Sequence, residues 1–144
     1  MTQAHIDFQK LLDRQGIKYF RAKEVLTLGA SNSYLRCNRV PARALWADII
    51  PTLYAADAIR ERLGVPVRII SAYRNEKYNK AIGGALHSYH VKFMALDIIA
   101  KVPVPEIVKI AKQVRSEGIF SGGIGTYAGF VHIDCRGKNT DWHG

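Results

Sequence analysis

The sequence predicts an α+β domain in which helices pack on a small, mainly antiparallel sheet. Three observations lead there. Apolar residues recur at three- and four-residue steps over residues 4–15, 41–63 and 105–117, the period of a helix with one buried face. Two β-branched runs, VPVRIIS (65–71) and ALDIIA (95–100), have the composition of buried strands. The segments 122–127 and 130–135 are separated by Ala128-Gly129, the spacing of a hairpin. Helices come first, and strands follow with one helix inserted, rather than the strict alternation of a parallel sheet.

Taken in chain order, residues 4–15 form an amphipathic helix with Ile6, Phe8, Leu11 and Leu12 inward, stopped by Gly16. Residues 21–28 suit a second short helical piece, and 29–40 lack any period and read as a loop. From Pro41 to Leu63 the stripe Leu45, Ile49, Leu53, Ala56, Ile59 and Leu63 predicts a long helix ending at Gly64, which Pro51 must kink or split. Residues 75–82 form a polar turn or short helix closed by Gly83 and Gly84. Residues 105–117 form a helix with Ile107, Val108, Ile110, Ala111 and Val114 inward, ending at Gly118.

With 144 residues the chain has room for one core and therefore one domain, residues 1–40 being its helical lead-in and 41–144 its chemical part. A 48% apolar fraction excludes a disordered chain, and no run approaches the ~18 apolar residues of a membrane span. The start of the sequence lacks the basic-then-apolar pattern of a secretory signal, so the expected place of synthesis is the cytoplasm. A formal charge of +9, from 21 basic and 12 acidic residues, implies a polyanionic neighbour such as nucleic acid, anionic lipid or an anionic cell wall. The basic residues are scattered and form no nucleic-acid-binding module, so specific nucleic-acid recognition is not expected. Cys37 and Cys135 lack metal-ligand spacing and read as small buried hydrophobes, although a disulfide stays open, as does a ligand role for Cys135.

Three residues stand out as polar groups in apolar company. Asp97 interrupts ALDIIA, His132 interrupts FVHIDC, and His90 follows the Gly-Gly turn in GGALHSYH. A carboxylate in such a strand is costly to bury without a partner. Two imidazoles and one carboxylate form a common catalytic zinc set that leaves a fourth position for water. On spacing alone His132 reads equally as a satisfied core histidine, and Asp97 as a cap or an arginine partner.

The surrounding motifs decide between these readings. Ser71-Ala72-Tyr73-Arg74, Tyr78-Asn79, Gly83-Gly84-Ala85, Ser88-Tyr89-His90, Ala95-Leu96-Asp97, Gly122-Gly123-Ile124-Gly125-Thr126-Tyr127 and Phe130-Val131-His132-Ile133-Asp134 occur in that order. Together they resemble the zinc D-Ala-D-Ala carboxypeptidase family, the metallopeptidases of the Hedgehog/DD-peptidase-like fold that include phage endolysins and cell-wall endopeptidases. The resemblance spans roughly residues 40–142. It implies one zinc ion held by His90, Asp97 and His132, and a substrate side formed by Arg74, with Tyr73 beside it, and by Ser88, whose hydroxyl would fix the ligand loop. Arg74 would hold the substrate carbonyl or carboxylate; its plainer reading is an ion pair. Trp142 matches an aromatic common after the last ligand, or serves only in packing.

Two departures from that pattern bear on catalysis. Many members carry Glu or Asp three residues before the last histidine, where this chain has Gly129. Asp134 points to the same side of a strand as His132, so it is the substitute general base or else a partner for a ligand. His87 is the next candidate base. Phe93-Met94 also stand where Gly and a small or polar residue are usual, and bulk there is expected to narrow the cleft or change substrate preference. The first reading is thus a zinc peptidase acting on peptidoglycan peptides at the bacterial wall, a phage-type lysin fitting the lack of a signal segment. The alternative is a zinc-containing module that binds wall without cutting it.

Overall fold

The computed structural model describes residues 1–144. The first helix, α1 (Gln3–Arg14), starts at Thr2, whose hydroxyl accepts the His5 N–H, and it buries Phe8 and Leu12. Short helices follow at α2 (Ala22–Val25) and α3 (Asn32–Leu35), the latter a single turn within the segment read as loop. The long helix expected over residues 41–63 is split, as Pro51 requires. Arg43–Ile49 wind as a 3-10 helix, and α4 (Ile50–Leu63) begins afresh with Pro51 in its first turn, where no N–H is missed. It ends at Gly64 in the left-handed region, φ 70°.

The remaining elements are β1 (Val67–Ser71), α5 (Glu76–Ala81), β2 (Ala95–Ala100), α6 (Val104–Ser116), β3 (Gly123–Thr126), β4 (Val131–Asp134) and β5 (Thr140–His143). The strands form one sheet in the order β1-β2-β4-β3-β5, antiparallel except for the parallel β3–β5 pair. The fold is α+β, as predicted; β5 has no apolar run and went unread in the sequence. No helix is long and apolar enough to cross a membrane.

Alternation along the strands builds a two-sided sheet. Leu96, Ile98, Ile124, Val131 and Ile133 join the core, to which α4 contributes Leu53 and Ile59 and α6 contributes Ile107 and Ala111. The opposite face carries the polar exceptions. Register places Ser71 opposite Asp97, Asp97 opposite His132, His132 opposite Gly125, and Gly125 opposite Trp142. One row across all five strands therefore collects the residues that the sequence had marked separately.

Phe93 corrects one expectation. Its ring does not narrow the cleft. It is fully buried against Phe8 and edge-on to Tyr73. The backbone at Phe93 is left-handed, φ 54°, which explains why glycine suits this turn between His90 and Asp97. Core contact of the aromatic ring offsets the backbone strain. Phe93→Ala is expected to cost about 3–5 kcal/mol in urea unfolding, because it loses the ring and keeps the strain. Phe93→Gly is expected to be the more stable of the two by about 1 kcal/mol, since it loses the ring but relieves the strain.

Candidate metal centre

The centre lies in a cleft of about 580 Å³ whose walls include Arg74, His87, Ser88, Tyr127, Phe130, Arg136 and Trp142. Asp97 occupies its floor, 3% exposed, and divides its two oxygens. Oδ1 lies 3.0 Å from His90 Nε2 and 3.1 Å from His132 Nδ1. Oδ2 accepts from Arg74 Nη2 at 3.0 Å. One ligand atom from each of His90, Asp97 and His132 lies within 4.8 Å of the others.

The hydrogen bonds behind these atoms define which nitrogens are bare. His90 Nδ1 sits 2.6 Å from the Ala72 carbonyl, which can only accept, so the ring proton is on Nδ1 and Nε2 presents a lone pair. His132 Nε2 is 2.7 Å from Asp134 Oδ2 and donates to it, leaving Nδ1 bare. With both rings neutral, two imidazole lone pairs and a carboxylate oxygen converge there. Repulsion of this kind is relieved by a cation. The spacing suits zinc, whose bonds of about 2.0–2.2 Å to N and O put tetrahedral ligands roughly 3.4 Å apart. The residues present fit the metal.

Electrostatics agree. Burial pushes the His90 imidazole below its usual pKa and keeps the ring neutral, as a ligand must be. Burial also opposes charge on His132, but the carboxylates of Asp134 and Asp97 on either side of the ring outweigh that and raise its pKa, so a metal at Nδ1 takes the place of a proton. For Asp97, burial disfavours ionisation, yet the two imidazoles beside it hold its carboxyl well below the usual range.

Asp134 was read from sequence either as a base or as a ligand's partner. It is fully buried and its oxygens are spent. Oδ1 accepts from Gly123 N, Arg136 N and Arg136 Nε; Oδ2 accepts from His132 Nε2 and Arg136 Nη2. It thus occupies the partner position, orienting His132, with no access to the cleft. Glycine is needed at Gly123 because a Cβ there would stand 2.6 Å from Asp134 Oδ2. Gly125 likewise makes room for the Trp142 indole, which lies beside the His132 ring with centroids 5.1 Å apart.

Arg74 reaches the floor from the loop after β1. Its Nε donates to Ser71 Oγ and its Nη1 to Asn79 Oδ1, at 3.1 and 3.3 Å. Asn79 in turn donates to the Ala85 carbonyl, and its side chain fills the space that a Cβ at Gly84 would need. Ser88 Oγ accepts the His90 N–H at 3.2 Å, fixing the ligand loop. His87 is exposed on the cleft wall and makes no hydrogen bond within the protein. Gly129 lies exposed in the β3–β4 turn. Tyr73 does not line the cleft, because its ring packs on Phe93. Cys37 and Cys135 are free thiols outside the metal group.

Two contributors carried no clear sequence signal. Asn38, fully buried in the loop read as featureless, donates to the Tyr73 carbonyl and accepts from Asn75 N, bonding the backbone on both sides of Arg74. Arg136 was one basic residue among many. Those partners of Asn38 are more than thirty residues away, and although Asp134 is only two residues from Arg136, the rings of Tyr89 and Trp142 that flank it are brought in by other elements.

The sequence profile of the Peptidase M15 family matches residues 19–134, about four fifths of the chain. No curated protein matches the sequence significantly.

Metal analysis should return about one zinc per chain, lost in His132→Ala and retained with about 10- to 100-fold weaker affinity in Asp134→Asn. Asp97 and Asp134 have lowered pKa values in the fold, so the stability they contribute is complete above about pH 4, where unfolded carboxylates ionise, and is lost progressively as pH falls below it. Acid unfolding of chelator-stripped protein should show this slope, and Asp134→Asn should flatten it.

Proposed function

The chain belongs to the peptidase M15 family, the zinc D-Ala-D-Ala carboxypeptidase-like peptidases, and from that premise we propose that it hydrolyses peptide bonds in bacterial peptidoglycan. Its α+β arrangement fits the Hedgehog/DD-peptidase-like fold of that family. The observation that carries the reading is the convergent cluster of His90, Asp97 and His132 at the floor of an open cleft. His90 Nε2, Asp97 Oδ1 and His132 Nδ1 would hold the metal. When bound, zinc supplies Lewis-acid polarisation of a carbonyl and acidification of water to a pKa of about 7.

The protein's own groups do the rest. Arg74 keeps Asp97 Oδ2 occupied, so Oδ1 alone faces the imidazoles, and its remaining N–H groups can stabilise negative charge developing on the substrate oxygen. His87 is the cleft imidazole free to take a proton from water and return it to the leaving amine, a role Asp134 cannot fill from its buried position. Ser88 holds the loop that carries both His87 and His90. Aromatic groups on the opposite lining, Tyr127 and Phe130, stack with centroids 4.5 Å apart and give the substrate an apolar surface. The charge of +9 favours docking on an anionic wall, the setting in which a lysin of phage or cellular origin works.

A wall-binding module without turnover is the second reading, favoured by the exposed turn position of Gly129 and by the spent oxygens of Asp134. Purified peptidoglycan separates the two. The peptidase releases new amino groups, and a chelator stops it. His87→Ala is expected to reduce kcat by about 10²–10⁴ with zinc retained, and Arg74→Ala to reduce kcat/KM by about 10²–10³. Sedimentation with peptidoglycan and no new amino groups would establish the binder instead.

A further inference from the structure

Arg136 lines the cleft, yet neither the zinc set nor the general base uses it. Its guanidinium carries two edges suited to carboxylates. The side edge, Nε and Nη2, is closed on Asp134 at 2.9 and 2.7 Å. The end edge, Nη1 with the second Nη2 hydrogen, has no partner in the protein, and the side chain keeps 21% of its surface exposed. Tyr89 and Trp142 both lie against it, with ring centroids 4.3 and 4.9 Å from the guanidinium carbon.

Charge in the cleft supports an anionic guest. Asp97 and Asp134 are matched by Arg74 and Arg136, so with neutral imidazoles the bound divalent ion leaves an excess of positive charge. Arg74 has given one hydrogen from each of Nε, Nη1 and Nη2 to Ser71, Asn79 and Asp97, which leaves it two N–H groups against the three left on Arg136. The arginine with an open, planar, two-pronged edge is the other one, and that edge matches a carboxylate.

We infer that Arg136 is the specificity residue of this cleft, receiving a free carboxylate of the substrate on its Nη1/Nη2 edge while its Nε/Nη2 edge holds Asp134. This rests on the peptidase reading, and it narrows the substrate to peptides that carry a carboxylate close to the bond cut. A single guanidinium thereby joins substrate recognition to the residue that orients the ligand His132.

The test uses acetylated stem peptides as the free acid and as the carboxamide, with binding followed by NMR titration in zinc-loaded and in chelator-stripped protein. The wild type should bind the acid about tenfold tighter than the amide in both states, the scale of a partly exposed charge-assisted pair. Arg136→Lys keeps a cation for Asp134 but has no second edge, and should lose the preference. Arg136→Gln should lose it too and also weaken zinc, which the stripped-protein titration makes irrelevant to the comparison. A wild type that binds acid and amide alike, or an Arg136→Lys protein with the preference intact, overturns the inference. Hydrolysis is scored separately with peptidoglycan before and after its carboxylates are amidated. No hydrolysis of either, together with an Arg136-dependent acid preference, would sink the peptidase reading and leave the carboxylate site standing.

Discussion

Asp97 is a carboxylate buried in the second strand of the sheet, and most of the surrounding architecture answers the cost of placing it there. Left alone it would be neutral or would unfold the strand. Instead Arg74 takes one oxygen and two imidazoles approach the other, so the charge persists in a site that water barely reaches. The same grouping that satisfies Asp97 leaves lone pairs facing one another at its Oδ1. Folding stability and metal affinity are therefore linked through one atom.

Support extends outward from that atom in two directions. On one side His132 is oriented by Asp134, and Asp134 by Arg136, whose outer face meets the cleft between Tyr89 and Trp142. On the other side Arg74 is braced by Ser71 and Asn79, while Asn38 bonds to the backbone just before and just after it. The lead-in segment is thus part of the site as well as a cover for the core. Small residues make both arms possible: Gly123 leaves room for Asp134, Gly125 admits Trp142 to the row, and Gly84 admits Asn79.

Backbone strain appears where the loop must turn quickly from His90 into β2. Phe93 accepts a left-handed conformation because its ring fills the core between Phe8 and Tyr73. A position that looked like a cleft residue by its neighbours in sequence is a core residue by its direction in space. The cleft keeps its volume, and the turn that delivers His90 is pinned from beneath.

The amino-acid sequence made legible every helix but the single turn α3, four of the five strands, the hairpin and the three metal-binding candidates. These depend on local period, on turn residues and on polar groups interrupting apolar strands, all of which are written in short windows. It also marked the split at Pro51, since a missing N–H acts within one turn of helix. Only the tertiary structure decided what each polar group faces. Two roles for Asp134 were compatible with its place beside His132, and the choice came from Arg136 and Gly123 closing around it. Asn38, the edge strand β5 and the rings that flank Arg136 were invisible for the same reason: their partners lie on other elements, and only strand register and loop packing bring them together.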